Sequence, residues 1–527
     1  MDLFNEILKA RGLDGKAREF FLSPSYEAKH DPFLLPDMDK AVERLVKAQT
    51  EQEKITIYGD YDIDGLTATA VLLDAFASFG FENVETFIPN RFVEGYGMTV
   101  DAVERIANPS AGEGAQLIVT VDCGSLSEKE IVRARELGVD VIVTDHHNVA
   151  AVQPPAVAVI NPKRLLQDYP DSYKDFILVS SSDTEASAGS ASPARVSARE
   201  SRDGPRESRT AQPDRVRASE TSPVAPAEIE QNKRGQGQAS GGGDEVENSF
   251  HDESEGLAPP NLELYPFLDL PGVGVAFKLV QALQTQLDGL ELGQEKWLLD
   301  LVALGTVCDV VRLEDENRMH VYWGLKVLSQ TKRPGLKALM AVAGVEPSQV
   351  NARSLGFGLG PRMNATGRLD TALASLEMLR ATDSMDALSK ARLLDDMNAQ
   401  RRANQDKIFK EALVQAEQYK NDPVLVVSSP GWSHGIIGIV AAKLLEKYQK
   451  PTYVLEEMRE ESKGSARSYG DFSAADAIRA SDDIITKGGG HKLAAGVTLP
   501  TENIGAFRER VNQYFKSLKL PAQPPLL

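Results

Sequence analysis

ITIYGDYDIDG, residues 55–65, carries an apolar, β-branched run straight into three aspartates, Asp60, Asp62 and Asp64. The run reads as a fully buried strand, and the acidic turn that follows reads as its carboxyl end. Four further runs of the same kind follow: VETFI (84–88), LIVTV (117–121), VIVT (141–144) and VAVI (157–160). Between them the apolar positions recur at helical spacing, as in residues 66–79 and 126–137. Strands alternating with helices predict βαβ units and a doubly wound parallel sheet in an α/β domain.

Outward from this block the chain changes character. From about residue 179 to 259 it is rich in Ser, Glu, Arg, Pro, Gly and Ala, with Phe250 as its one aromatic residue. Such a stretch buries too little apolar surface to offset its conformational entropy, and a long disordered insertion is expected. Helical patterns resume at LPGVGVAFKLVQAL (270–283) and WLLDLVALGTVCDVV (297–311), completing a first domain over 1–369. Residues 370–420 hold helix formers with few breakers and predict a helical linker of one or two long helices. In 421–520, VLVVSS (424–429), GIIGIVAAKLLEKY (435–448) and PTYVLEE (451–457) repeat the strand–helix–strand order, so a second, smaller α/β domain is expected.

Bulk properties narrow the function. A chain of 527 residues needs more than one core. No apolar run is long enough to span a bilayer, and the first residues read as a short amphipathic helix without signal-peptide features, so a cytoplasmic location is expected. Cys123 and Cys308 stand far apart, excluding a disulfide framework or a zinc knuckle. The formal net charge of −19 argues against coating nucleic acid by bulk attraction. A polyanionic substrate would have to be held by metals and local arginines.

The chemistry gathers at strand ends. VTVDCGS (119–125) puts Asp122 after the third run, and VTDHHN (143–148) puts Asp145, His146 and His147 after the fourth. In a parallel sheet these carboxyl ends line one crevice. Asp309, in GTVCDVV (305–311), can approach it from the side. Carboxylates with imidazoles and no thiolate spacing suit Mn²⁺ or Mg²⁺. Two such ions about 4 Å apart fit hydrolysis of a phosphodiester.

These residues resemble the DHH phosphoesterase superfamily, whose name spells the run Asp145–His146–His147. GDYDIDG, IPNRFVEGYGM (88–98), LPGVGVAFKL, LGFGLGPRMNATGRL (355–369) and GGGHKLAAGVTL (488–499) are similar to its RecJ branch, over nearly everything outside the insertion. The resemblance implies a DHH catalytic domain followed by a DHH-associated domain that closes on the substrate. It implies Asp60, Asp62, Asp64, Asp122, His146 and Asp309 as ligands of two divalent ions, with His147, beside Asp145, at the scissile phosphate. For substrate contact it points to Ser465, Arg467 and Ser468 in GSARS, and to Gly489, Gly490 and His491, the glycines letting backbone amides approach a phosphate. Arg91, Arg353, Arg362 and Arg368 are expected as phosphate clamps, with Arg91 and Arg467 at a terminal 5′ phosphate.

The expected activity is therefore 5′ to 3′ exonucleolytic hydrolysis of single-stranded DNA in repair and recombination, by a monomer working with a single-strand-binding protein or a helicase. The competing reading is a phosphodiesterase or phosphatase on short oligonucleotides or small nucleotides, of the nano-RNase type. Cys308 stands where the family usually carries alanine, and no OB-fold module of the kind many members carry is expected within these residues, which leaves substrate length open. A non-catalytic scaffold predicts degraded ligand positions, whereas here every one is filled.

Overall fold

The computed structural model describes residues 3–170 and 264–520. The expected insertion, 179–259, lies outside them. Strands β1 (Ile55–Gly59), β2 (Val84–Phe87), β3 (Leu117–Val121), β4 (Asp140–Thr144) and β5 (Ala158–Ile160) form one sheet in the order β2-β1-β3-β4-β5. All its pairings are parallel. β1 and β3 are buried along their whole length, which is why they read as unbroken apolar runs rather than as alternation. The chain leaves β1 toward one edge and β3 toward the other, so the switch point of the topology lies between these two strands, where open α/β sheets place their ligands.

The helix Ile63–Ser78 follows β1 directly. Asp62 caps it, its carboxylate accepting from the amides of Asp64 and Gly65, a cap that stabilises by about 1 kcal/mol. Gly65 allows the close turn, because a Cβ there would stand 2.7 Å from the backbone N and O of Asp60. Leu66, Val71, Leu72 and Phe76 are fully buried in the main core, each contributing up to roughly 1.5–3 kcal/mol. This helix packs on two others, Gly272–Leu283 and Leu299–Cys308. Every residue of Gly272–Leu283 is buried, Lys278 included, and Lys278 is paired with Glu316 at 2.9 Å.

Two helices occupy the expected linker, Leu373–Arg380 and the 35-residue Ser384–Gln418, the latter about 50 Å long at 1.5 Å per residue. The long helix packs on Gly360–Leu369 at the first sheet's side and on His434–Tyr448 at the second's. That second sheet has the order β6-β7-β8-β10-β9, from β6 (Leu425–Pro430), β7 (Thr452–Glu457), β8 (Glu461–Arg467), β9 (Lys487–Gly490) and β10 (Ala494–Pro500). Only β6 and β7 run parallel; the others pair antiparallel. The glycine run Gly488–Gly490 is thus part of a strand. Pairing with β10, Gly490 opposite Ala495 and Gly489 opposite Gly496, overrides the low strand propensity of glycine.

Candidate active site

Three strand ends and one helix end deliver ligand-type atoms to one point. Three overlapping groups form there: Asp60, Asp62 and Asp122; Asp64, His146 and Asp309; and Asp122, His146 and His147. Within each group one ligand atom per residue lies within 4.8 Å of the others. Asp60, Asp64 and Asp122 are almost wholly buried. Asp122 adopts φ 62°, a left-handed backbone uncommon for any residue but glycine. Gly272 makes room for it, since a Cβ there would meet the Asp122 side chain at 2.7 Å. The first amides of the helix Gly272–Leu283 donate to Asp64, Gly272 at 2.6 Å and Val273 at 2.9 Å, so a helix N-terminus helps hold this carboxylate.

The electrostatics are those of a site shaped to receive positive charge. Burial, and then the neighbouring Asp62, push Asp60 up to about 8. Burial with Asp62 pushes Asp309 to about 7, and Asp64 and Asp122 also stand well above the carboxylate range, through burial first and neighbouring carboxylates second. Burial lowers His146 to about 3, keeping it a neutral donor of a lone pair. Asp60 Oδ1, Asp122 Oδ1 and His146 Nε2 are buried without a hydrogen-bond partner, although His146 Nε2 stands 3.1 Å from Asp122 Oδ1. Buried polar atoms without partners are rare and costly. Divalent cations held by the overlapping groups, two of which share Asp122, would satisfy these atoms, so these residues fit metal.

Asp145 faces elsewhere. Its Oδ1 accepts from the amides of His146 and His147 and lies 2.9 Å from His147 Nδ1, while Oδ2 accepts from the Ser125 amide. It positions the two histidines and does not enter the metal groups. Burial opposes charge on His147, but the bond to Asp145 outweighs it and raises His147 above the ordinary range. Tyr96 stands with its hydroxyl 3.0 Å from His147 Nδ1, a neighbour that the reading of IPNRFVEGYGM passed over.

The predicted clamps divide. Arg91 lies with its guanidinium 4.1 Å from the centre of the Tyr61 ring. Arg368 donates to the Gly435 carbonyl at 3.2 Å. Burial, then the charges of Arg91, Arg401 and Arg467, lower it to about 10. Four arginines therefore converge beside the acidic cluster, and Arg401 is one that sequence reasoning missed. Arg467 reaches over Gly438, where a Cβ would lie 3.1 Å from its Nη2. Ser465 and Gly489 line one cleft with His434 and Lys463. His491 accepts from the Asn148 amide at 3.4 Å, directly after the DHH run.

Two of the expected contact residues make bonds within the fold. Ser468 is buried and donates to the Phe472 carbonyl at 2.7 Å, so its hydroxyl serves the fold. Arg362 gives Nε to Asp395 at 2.8 Å and Nη1 to the Gly358 carbonyl at 2.7 Å, bracing the long helix instead of joining the arginine group. His434 was missed as well. Glu456 holds its Nδ1 at 2.9 Å, its Nε2 is buried without a partner, and Phe92 stands edge-on 4.8 Å away.

With this geometry in hand, comparison with known proteins is direct. Residues 54–172 match the DHH family N-terminal domain, and residues 421–517 match the DHHA1 domain. The fold and site thus define a two-part DHH–DHHA1 protein. The single-stranded-DNA-specific exonuclease RecJ of Salmonella typhimurium is 30% identical over 91% of this chain and 69% of its own length. That of Bacillus subtilis is 33% identical over 97% of this chain, which spans 52% of that relative. The crystal structure of exonuclease RecJ bound to manganese superimposes with a TM-score of 0.64 at 26% identity, covering 92% of this chain and 96% of that one. RecJ from Thermus thermophilus in complex with Mn²⁺ gives the same score and identity, over 92% of this chain and 55% of that one. The chain belongs to the RecJ family.

Proposed function

We propose that this protein is a metal-dependent 5′ to 3′ exonuclease that hydrolyses phosphodiester bonds of single-stranded DNA. The observation that carries the reading is the set of overlapping carboxylate and histidine groups around Asp122, in which Asp60 Oδ1, Asp122 Oδ1 and His146 Nε2 are buried without partners. In this reading Asp60, Asp62, Asp64, Asp122, His146 and Asp309 hold two Mn²⁺ or Mg²⁺ ions. Bound there, such ions supply Lewis acidity and a nucleophile at neutral pH. His147, held by Asp145, stabilises charge at the scissile phosphate or hands over a proton, and Tyr96 stands against its ring.

The arginine group grips the strand. Arg91 and Arg467, with Ser465, Gly489, Gly490 and His491, hold the terminal 5′ phosphate. Arg353, Arg368 and Arg401 follow the backbone, with Arg362 supporting them through Asp395. A clamp that only a strand end fills makes the enzyme an exonuclease. The division into a catalytic part over 1–369, a linker over 370–420 and a gripping part over 421–520 belongs to the same proposal. So do a monomeric state, a cytoplasmic place in repair and recombination, and partnership with a single-strand-binding protein or a helicase. No helix among the described residues is long and apolar enough to cross a membrane.

The test offers a 5′-labelled single strand of about 30 nucleotides beside dinucleotides, with Mn²⁺. Release of mononucleotides from the labelled end is expected. Cleavage of dinucleotides alone would overturn the assignment.

A further inference from the structure

The segment Ser354–Leu359 makes one π-helical turn at the start of the helix Gly360–Leu369. Such turns shift the register of side chains and often occur at functional sites. Leu355 and Leu359 are fully buried, whereas Phe357 between them is turned out and 78% exposed. It stands at a cleft of about 640 Å³ lined also by Arg353, Asn364, Arg368 and Arg401. Arg353 lies 5.5 Å from the Phe357 ring centre, and Arg401 Nε is buried without a partner.

The position of this cleft decides what it takes. One wall is Ile63 and Cys308, the chain neighbours of Asp62, Asp64 and Asp309. Gly360 seals that wall to the acidic cluster, since a Cβ there would stand 2.7 Å from Cys308 Sγ. Arg368 and Arg401 line the same cleft. The cleft thus holds arginines beside the chain neighbours of the acidic cluster. An aromatic face beside arginines is the surface on which nucleobases stack while their phosphates are neutralised. Asn364 adds an amide with both donor and acceptor for a base edge.

We propose that this cleft is a nucleobase subsite in which Phe357 stacks on a base of the nucleotides nearest the cleavage point, with Arg353 and Arg401 on the adjoining phosphates. This rests on the single-strand exonuclease reading and assigns a residue to length and base dependence within it. Stacking needs only a π-face, so the subsite favours strands that carry bases without favouring one sequence.

The experiment compares a 5′-phosphorylated single strand with the same strand made abasic over its first few nucleotides, using wild type, Phe357→Ala and Phe357→Trp. Phe357→Ala is expected to raise KM on the natural strand about tenfold and to leave KM on the abasic strand within about twofold of wild type. Values of kcat and Mn²⁺ binding should stay unchanged, and Phe357→Trp should restore the natural-strand KM. A Phe357→Ala effect equal on both strands, or absent from both, overturns the subsite. A wild type that leaves the natural strand intact overturns the exonuclease reading as well, and so is told apart from failure of the subsite alone.

Discussion

At the rim of β1, β3 and β4, carboxylates are buried against one another and two of their oxygens, Asp60 Oδ1 and Asp122 Oδ1, have no partner. At the rim of the second sheet the polar groups are mostly engaged: Ser468 with Phe472, Arg467 with the Ala466 carbonyl at 2.8 Å, and His434 with Glu456. The difference teaches how one chain separates two tasks. A site for small, highly charged ions keeps its ligands desolvated and crowded, at a cost to the metal-free fold. The rim proposed to grip a strand keeps Arg467 and His434 braced by the fold instead.

The comparison breaks most visibly at Asp122. Asp122→Asn should lower kcat by at least about a thousandfold and weaken Mn²⁺ binding in calorimetry, while the melting temperature in EDTA should not fall. A substantial destabilisation would show that this rim is built for the fold and not for a cation. A pH series sharpens the same contrast. Asp60 and Asp309 titrate near 8 and 7 in the folded state, through burial and then Asp62, against about 4 when unfolded. The folded chain therefore holds more protons, and its stability is greatest below pH about 4 as far as these groups go, declining as pH rises toward about 8. Thermal melts without metal should show that decline, and saturating Mn²⁺ should remove it and add about 3 kcal/mol at a hundred times Kd.

Effects at the second rim should be smaller and of another kind. Arg467→Ala should raise KM on 5′-phosphorylated strands about tenfold with kcat little changed, and an unchanged KM would take Arg467 out of the clamp. Smallest of all, Ser468→Ala should cost about 1 kcal/mol of stability, from the unpaired Phe472 carbonyl, with KM untouched. A raised KM would return Ser468 to the substrate side.

What could be read from the amino acids alone follows the same divide. Asp60, Asp122 and His146 were legible because each ends an apolar run, and a parallel sheet sends all such ends to one crevice. Arg401 was not. It sits in AQRRANQ in the middle of a 35-residue helix, where the local pattern is that of a solvated face. Only the packing of that helix on Gly360–Leu369 and His434–Tyr448 brings it to Arg368. His434 was hidden likewise, its role set by Phe92 and Glu456 from distant segments. The strands β8 and β9 escaped detection because Ser, Lys and Gly make up most of them, and partner strands rather than propensity hold them extended.

The strand β9, Lys487–Gly490, ends its sheet with all four residues exposed. An open edge ordinarily invites another chain to zip onto it, and aggregation follows. Three consecutive glycines make that unrewarding, because each would surrender more backbone freedom than any other residue on joining a ladder and has no side chain to pack in return. The protein can thus leave a row of amides open to solvent at concentrations where an edge of valines would drive it out of solution.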